Sequence, residues 1–306
     1  MIAFIFRRLV GMAVVLLVVF GISFALVNAV PGGPFQGERA LSAETIAALE
    51  KQHGLDRPLL EQAWNRITGY LTGDFGESIK LGVDVKDVIL QGLPVSAALG
   101  AMALVFAFTL GLTAGILSAV RRGTGTDFWL MSTAAVGIAL PNFVVAGFAI
   151  LIFVFAIPLF PAGGWGTLRQ LVLPAMCLGA PYAAYVARIA RTGMLDVLSQ
   201  DHVRTARAKG LSYRSVVLKH AMPTAMLPVV SFLGPAVAGV LTGSPVVESI
   251  FAIPGLGWHF VQSAFNRDYF MAMGLVMVYT TLLYSMNLLV DLSYAVLDPR
   301  VDLRET

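Results

Sequence analysis

Residues 9–30 read LVGMAVVLLVVFGISFALVNAV, 22 positions without a charge. At about 1.5 Å per residue a helix of that length crosses the ~30 Å hydrocarbon core of a bilayer, and the run exceeds the roughly 7–15 apolar residues of a secretory signal. Arg7 and Arg8 precede it, and Val27 and Ala29 would suit a cleavage site, so a removable leader is the competing reading. Its length favours a first membrane-spanning helix that stays attached.

Runs of the same kind recur at 95–120, 135–158, 171–190, 225–248 and 273–297. The reading is an all-α polytopic membrane protein of six transmembrane helices. Composition agrees: of 306 residues 57% are hydrophobic and 13% charged, against about a quarter charged in a soluble domain. The formal net charge of +3 matters less than its placement, because basic residues beside spans set orientation. Arg7, Arg8, Arg121, Arg122, Arg188, Arg191, Arg204, Arg207, Lys209, Arg214, Lys219, Arg300 and Arg304 all fall on one side if the spans alternate. That side is then the cytoplasm, which receives both chain ends.

The opposite side receives residues 31–94, where nine acids outnumber six basic residues. Three regions follow: 1–30, the cytoplasmic start and first span; 31–94, an external periplasmic loop; and 95–306, a five-helix core with a cytoplasmic loop at 196–223. A 64-residue connection is too long to be structureless. Residues 43–52 read as a short helix stopped by Gly54. Pro58 opens another, with Leu59, Leu60, Ala63, Trp64, Ile67 and Leu71 on one stripe, packed on the outer ends of the spans or free to dock a partner. Gly111 with Gly115, and Gly239 with Gly243, have the small-residue spacing of closely packed helices. Pro141, Pro181 and Pro235 mark kinks.

Enzyme chemistry finds no footing. The one cysteine, Cys177, lies in an apolar run and reads as a packing residue. His53, His202, His220 and His259 lack metal-ligand spacing, and no Gly-x-x-x-x-Gly-Lys-Ser/Thr loop is present to cradle ATP. The chain therefore reads as binding no metal or cofactor itself, and nothing points to nucleic acid. Two acids interrupt apolar runs, where ionisable residues usually have a purpose. Asp291, one turn after Asn287, reads as a proton carrier or as the structural partner of Arg188 or Arg191. Glu248 reads as a gating residue, a partner contact or a solvated end of the fifth span.

The most informative polar stretch is DHVRTARAKGLSYRSVVLKHAMP, residues 201–223. It is a basic helix, a turn at Gly210, and a second helix with Val216, Val217 and His220 on one face before Pro223 opens the next span. A positive loop that meets anionic lipid explains the charge. It leaves unexplained the small Ala206 and Ala208 beside a turn glycine, which suit insertion into a partner's groove.

The spacing resembles the cytoplasmic signature of the membrane subunits of ATP-binding-cassette importers: Glu-Ala-Ala, three residues, Gly, nine residues, Ile-x-Leu-Pro. Ala206, Gly210 and Pro223 match; Arg204, Thr205, His220 and Met222 depart. The form Arg-Thr-Ala-Arg-Ala-Lys-Gly-Leu resembles the oligopeptide and dipeptide permease branch. Similar stretches run in order along the chain: FRRL at 6–9, PGGPFQGER at 31–39, GDFG at 73–76, VESIF at 247–251, PGLG at 254–257, RDY at 267–269, NLLVD at 287–291 and DPR at 298–300.

The resemblance implies a permease subunit of the bacterial inner membrane paired with a second, homologous permease subunit. It also implies two cytoplasmic ATPase subunits, which bind the ATP and magnesium, and an external solute-binding protein. Arg204, Thr205, Ala206, Arg207, Ala208, Lys209, Gly210, His220 and Pro223 would then couple ATP hydrolysis to the spans. Two rivals are a gradient-driven carrier using Asp291 or Glu248 and a membrane scaffold with no transport path.

Overall fold

The computed structural model describes residues 2–31, 33–35, 42–241 and 244–297. Among them the regular structure is helical, with one isolated bridge between Glu77 and Asp84. In chain order the helices are α1 (Ile2–Ala29), α2 (Ala43–Gln52), α3 (Leu59–Thr72), α4 (Val85–Val120), α5 (Gly125–Ala139), α6 (Asn142–Ile150) and α7 (Leu168–Leu198). There follow α8 (Asp201–Ala208), α9 (Tyr213–Ser215), α10 (Met222–Ala225), α11 (Leu227–Leu241), α12 (Pro245–Ile250), α13 (Leu256–Phe265) and α14 (Tyr269–Leu297). Wider π turns extend α6 over Leu151–Ala156 and join α9 to α10 over Val216–Ala221.

Among the described residues four helices are long and apolar enough to cross a membrane: α1, α4, α7 and α14. The number rises to six if each of two bent pairs counts as one span. The α5–α6 pair bends by 113°, and its cause is local. Leu140 precedes Pro141, is disfavoured from the helical region by the ring, and sits extended at φ −83°, ψ 131°. The other pair joins Tyr213–Ala225, which is α9, the π turn and α10, to Leu227–Val240 of α11 with a bend of 53°.

Two expected boundaries shift. The second span begins at Val85 and runs through Pro94, because Val85, Val88 and Ile89 extend its buried side. The fifth helix ends at Leu241, and Glu248 lies on the separate α12, started by Pro245 and capped by Ser244, whose hydroxyl accepts from Val247 N–H at 3.3 Å. Gly243, Arg300 and Arg304 lie outside the described residues, as do Gly32, 36–39 and 298–300 of the resembling stretches.

The chain divides into two compact units. In the first, the described residues fall in 2–95 and 254–288. Its core joins Val85, Val88 and Ile89 to Leu256, Phe270, Met271 and Leu275. Asp268, 2% exposed, anchors the turn at 78–80. Its carboxylate accepts the Ser78 hydroxyl at 2.5 Å and the backbone N–H groups of Ile79 at 3.3 Å and Lys80 at 3.4 Å. The α3 stripe does not pack inward as one of its readings expected: Leu59, Leu60, Trp64 and Leu71 are exposed in this chain. The buried position of α3 is Gln62, which donates to the carbonyls of Leu55 and Arg57.

In the second unit, residues 96–253 and 289–297, α7 is central. Helix α4 approaches it through Gly111 and Gly115. A Cβ at Gly111 would lie 2.6 Å from the Ala183 carbonyl oxygen, and one at Gly115 would collide with that of Ala187. The close approach expected from this glycine pair is present.

Candidate functional site

The second unit carries the basic segment. Helix α8 ends at Ala208, Lys209 caps it, and Gly210 turns the chain at φ +78°, a left-handed conformation that glycine reaches without penalty. Ser212 then caps the next helix by accepting from Ser215 N–H. Both arms are held by apolar contacts: Val203, Ala206, Val216, Val217, Ala221 and Ala225 pack with Met194 and Val197 of α7 and Ala119 of α4. The turn is therefore seated on the ends of two long helices.

This seating sorts the predicted residues. Exposure is common to Arg204, Thr205, Arg207, Ala208, Lys209, Gly210, His220 and Pro223. Ala206 does not share it. At 6% exposure it faces the chain's own core, so insertion of Ala206 into a partner's groove is excluded; its small size serves packing beneath the turn. His220 departs too, lying exposed while Val216 and Val217 are buried. The π turn explains this, since a wider turn brings Ala221, five residues after Val216, back to the buried side. That five-residue spacing is the sequence signal that a helical reading overlooks.

The exposed surface is held by light contacts. Thr205 donates its hydroxyl to the Asp201 carbonyl at 2.9 Å, Arg207 lies over the Tyr213 ring at 5.3 Å, and His202 Nε2 is 3.3 Å from the His220 carbonyl. The Arg204–Asp201 pair at 3.5 Å is 70% and 96% exposed, a geometry that contributes little.

Arg191 supplies the strongest polar contact nearby, with a partner that was not expected. Its guanidinium is engaged by Asp127 of α5 at 2.8 Å, where a pair with Asp291 was one reading. Ser118 of α4 also donates to Asp127, and the N–H of Gly123 donates to its other oxygen at 2.9 Å. Three elements, α4, α5 and α7, are thus tied at one carboxylate. Arg188 is exposed, Asn287 is exposed and Asp291 is half-buried on α14.

Glu248 is 0% exposed and accepts the hydroxyl of Ser96, itself 0% exposed, at 2.9 Å. The solvated reading of Glu248 is overturned by that burial. Ser96 was not singled out from sequence, because a serine in an apolar run has no pattern of its own.

Comparison with known proteins matches residues 111–303 to the family described as binding-protein-dependent transport system inner membrane component, and residues 1–100 to that system's N-terminal membrane component. The chain is 42% identical over 304 residues to the oligopeptide transport system permease protein OppB of Haemophilus influenzae, covering 98% of this chain and 99% of the relative. It is 42% identical over 300 residues to the dipeptide transport system permease protein DppB of Bacillus subtilis, covering 98% and 97%. Among solved structures, an amino acid ABC transporter aligns with TM-score 0.52 at 19% identity over 68% of this chain and 92% of the other. The methionine ABC transporter MetNI aligns with TM-score 0.50 at 17% identity over 67% and 95%. At those identities the likeness concerns the fold alone. The near-complete alignments, with family matches at both ends, establish that the chain belongs to the family of binding-protein-dependent transport system inner membrane components.

Proposed function

We propose that the chain is a membrane-spanning permease subunit of an ATP-driven peptide importer. The observation that carries this is the 42% identity to both oligopeptide and dipeptide permeases over 98% of the chain. The work of such a subunit is conformational, with ATP hydrolysed elsewhere. Its partners are a second homologous permease subunit, two ATPase subunits that hold ATP and magnesium, and an external solute-binding protein.

In this reading each bent pair is one span, which gives six, and both chain ends face the cytoplasm with the basic segment. Residues 31–94 form the external part, and 95–306 the permease core. The exposed residues Arg204, Thr205, Arg207, Ala208, Lys209 and Gly210, with His220 and Pro223, meet the ATPase. Its seating on the ends of α4 and α7 supports this, because a push on the turn is delivered directly to two long helices. Alternating access then follows from a two-state rearrangement biased by ATP. Glu248, Asn287, Asp291, Arg188 and Arg191 serve structure or gating.

The test is uptake of a labelled oligopeptide by vesicles holding the assembled complex. Uptake should require ATP, the binding protein and this subunit. Accumulation driven by a proton gradient in vesicles holding this chain alone would replace the proposal with a secondary carrier.

A further inference from the structure

Within the first unit, α3 carries Arg66 to the wall of a cavity of about 190 Å³ that also includes Tyr269, Glu50 and residues of α1. This is smaller than the roughly 300–1,000 Å³ of a drug-sized ligand site and suits a small polar group. Arg66 Nη1 and the Tyr269 hydroxyl are buried with no hydrogen-bond partner among the described residues. Gln62, on the same wall, spends its amide on the carbonyls of Leu55 and Arg57. The Arg66 guanidinium carbon lies 3.2 Å from the centre of the Phe270 ring, which favours the cation without using its N–H donors. Burial lowers its pKa to about 10, so it remains charged at neutral pH. Tyr70 and Asp74 are the guanidinium's other polar neighbours, but a buried Nη1 and a buried hydroxyl that both lack a hydrogen-bond partner call for an acceptor.

The cavity adjoins an apolar groove of about 460 Å³, with which it shares Val27, Val30, Tyr269 and Met273. One wall of the groove is α1, a helix long and apolar enough to cross a membrane, where Leu26 is 63% exposed. A polar pocket with an unused guanidinium donor thus adjoins an apolar groove along a membrane helix. Glu50 adds a carboxylate that would repel a purely anionic group, whereas a head carrying both phosphate and amine satisfies both charges.

We propose that cavity and groove together bind one aminophospholipid, its phosphate accepting from Arg66 and Tyr269, its amine facing Glu50, and an acyl chain lying in the groove beside α1. A short peptide with free termini matches the two charges and leaves the groove unfilled, which makes it the weaker fit.

The test uses the full chain in nanodiscs of equal parts phosphatidylethanolamine, phosphatidylglycerol and phosphatidylcholine. After stepwise delipidation, the lipid that stays bound is read by native mass spectrometry. One phosphatidylethanolamine per chain should be retained. Tyr269→Phe, which removes a single hydroxyl, should weaken retention about tenfold, and Arg66→Gln should weaken it further. Glu50→Gln should shift preference toward phosphatidylglycerol. Arg57→Gln, at a side chain 53% exposed just before α3, should change nothing. If Arg66→Gln does not fold, Tyr269→Phe and Arg66→Lys still decide. Unaltered retention in those two, no retained lipid in the parent chain, or displacement of the lipid by a soluble dipeptide would each overturn the proposal.

Discussion

Arg191 and Asp127 meet as a two-point pair, Nε donating to Oδ1 at 2.8 Å and Nη2 to Oδ2 at 2.9 Å. Asp127 is 6% exposed and the Arg191 side chain 27%, so the loss of Asp127 leaves a partly exposed guanidinium without its counter-charge. Breaking a fully buried pair from one side costs about 3–5 kcal/mol and a partly exposed one less, whereas replacing both members with apolar residues is often neutral. Asp127→Ala should therefore lower the melting temperature and folded yield in detergent, and Asp127→Leu with Arg191→Met should recover most of the loss. With Arg191→Met and Asp127→Leu measured alone to close the cycle, a double variant whose loss equals the sum of the two single losses would show that the two residues are not energetically coupled.

The pair also shows where sequence reading stopped. The helical class was legible because apolar runs of span length are a one-dimensional signal, and Gly210 was legible because a helix that stops and turns requires a left-handed residue. Asp127 was not, since an acid four residues after Gly123 in a charged loop looks solvated until α5 folds back on α7. The inward face of Ala206 and the outward turn of His220 were hidden for a related reason: they depend on what covers the segment and on a π turn, neither of which a 3.6-residue period encodes.

The Ser96–Glu248 hydrogen bond gives a second stability prediction. Removing one partner of a buried bond to a charged group costs about 1–3 kcal/mol. Ser96→Ala should therefore lower the midpoint of thermal unfolding in detergent while leaving the helix content unchanged. A purely gating role for Glu248 instead forecasts unchanged stability with altered peptide uptake, and the two measurements separate the cases.

Gly210 tests the coupling surface. A Cβ there meets nothing within 4 Å, so the obstacle to substitution is the backbone at φ +78°, worth about 1–3 kcal/mol for a β-branched residue. Gly210→Val should insert normally yet lose ATPase subunits on purification, or hydrolyse ATP without peptide import. Gly210→Asn should be milder, because asparagine visits the left-handed region more readily. Full uptake by the valine variant in reconstituted vesicles would remove the coupling role from this turn.

Orientation is settled by labelling, and the structure decides which positions can report it. Ser78 is 1% exposed and bonded to Asp268, so a cysteine there would be shielded and would perturb the anchor of the 78–80 turn. Asn65 on α3 and Lys209 beside Gly210 are both exposed in the chain, which is labelled here without its ATPase partners. The native Cys177, 2% exposed, is replaced by alanine to clear the background. In intact spheroplasts an impermeant maleimide should label Asn65→Cys, because residues 31–94 are proposed to lie outside. Lys209→Cys should be labelled only after the membrane is breached, since the positive-inside bias assigns the basic segment to the cytoplasm. The two sites lie on opposite sides of three spans in the six-span reading, an odd number, so equal labelling from one side would rule out that topology.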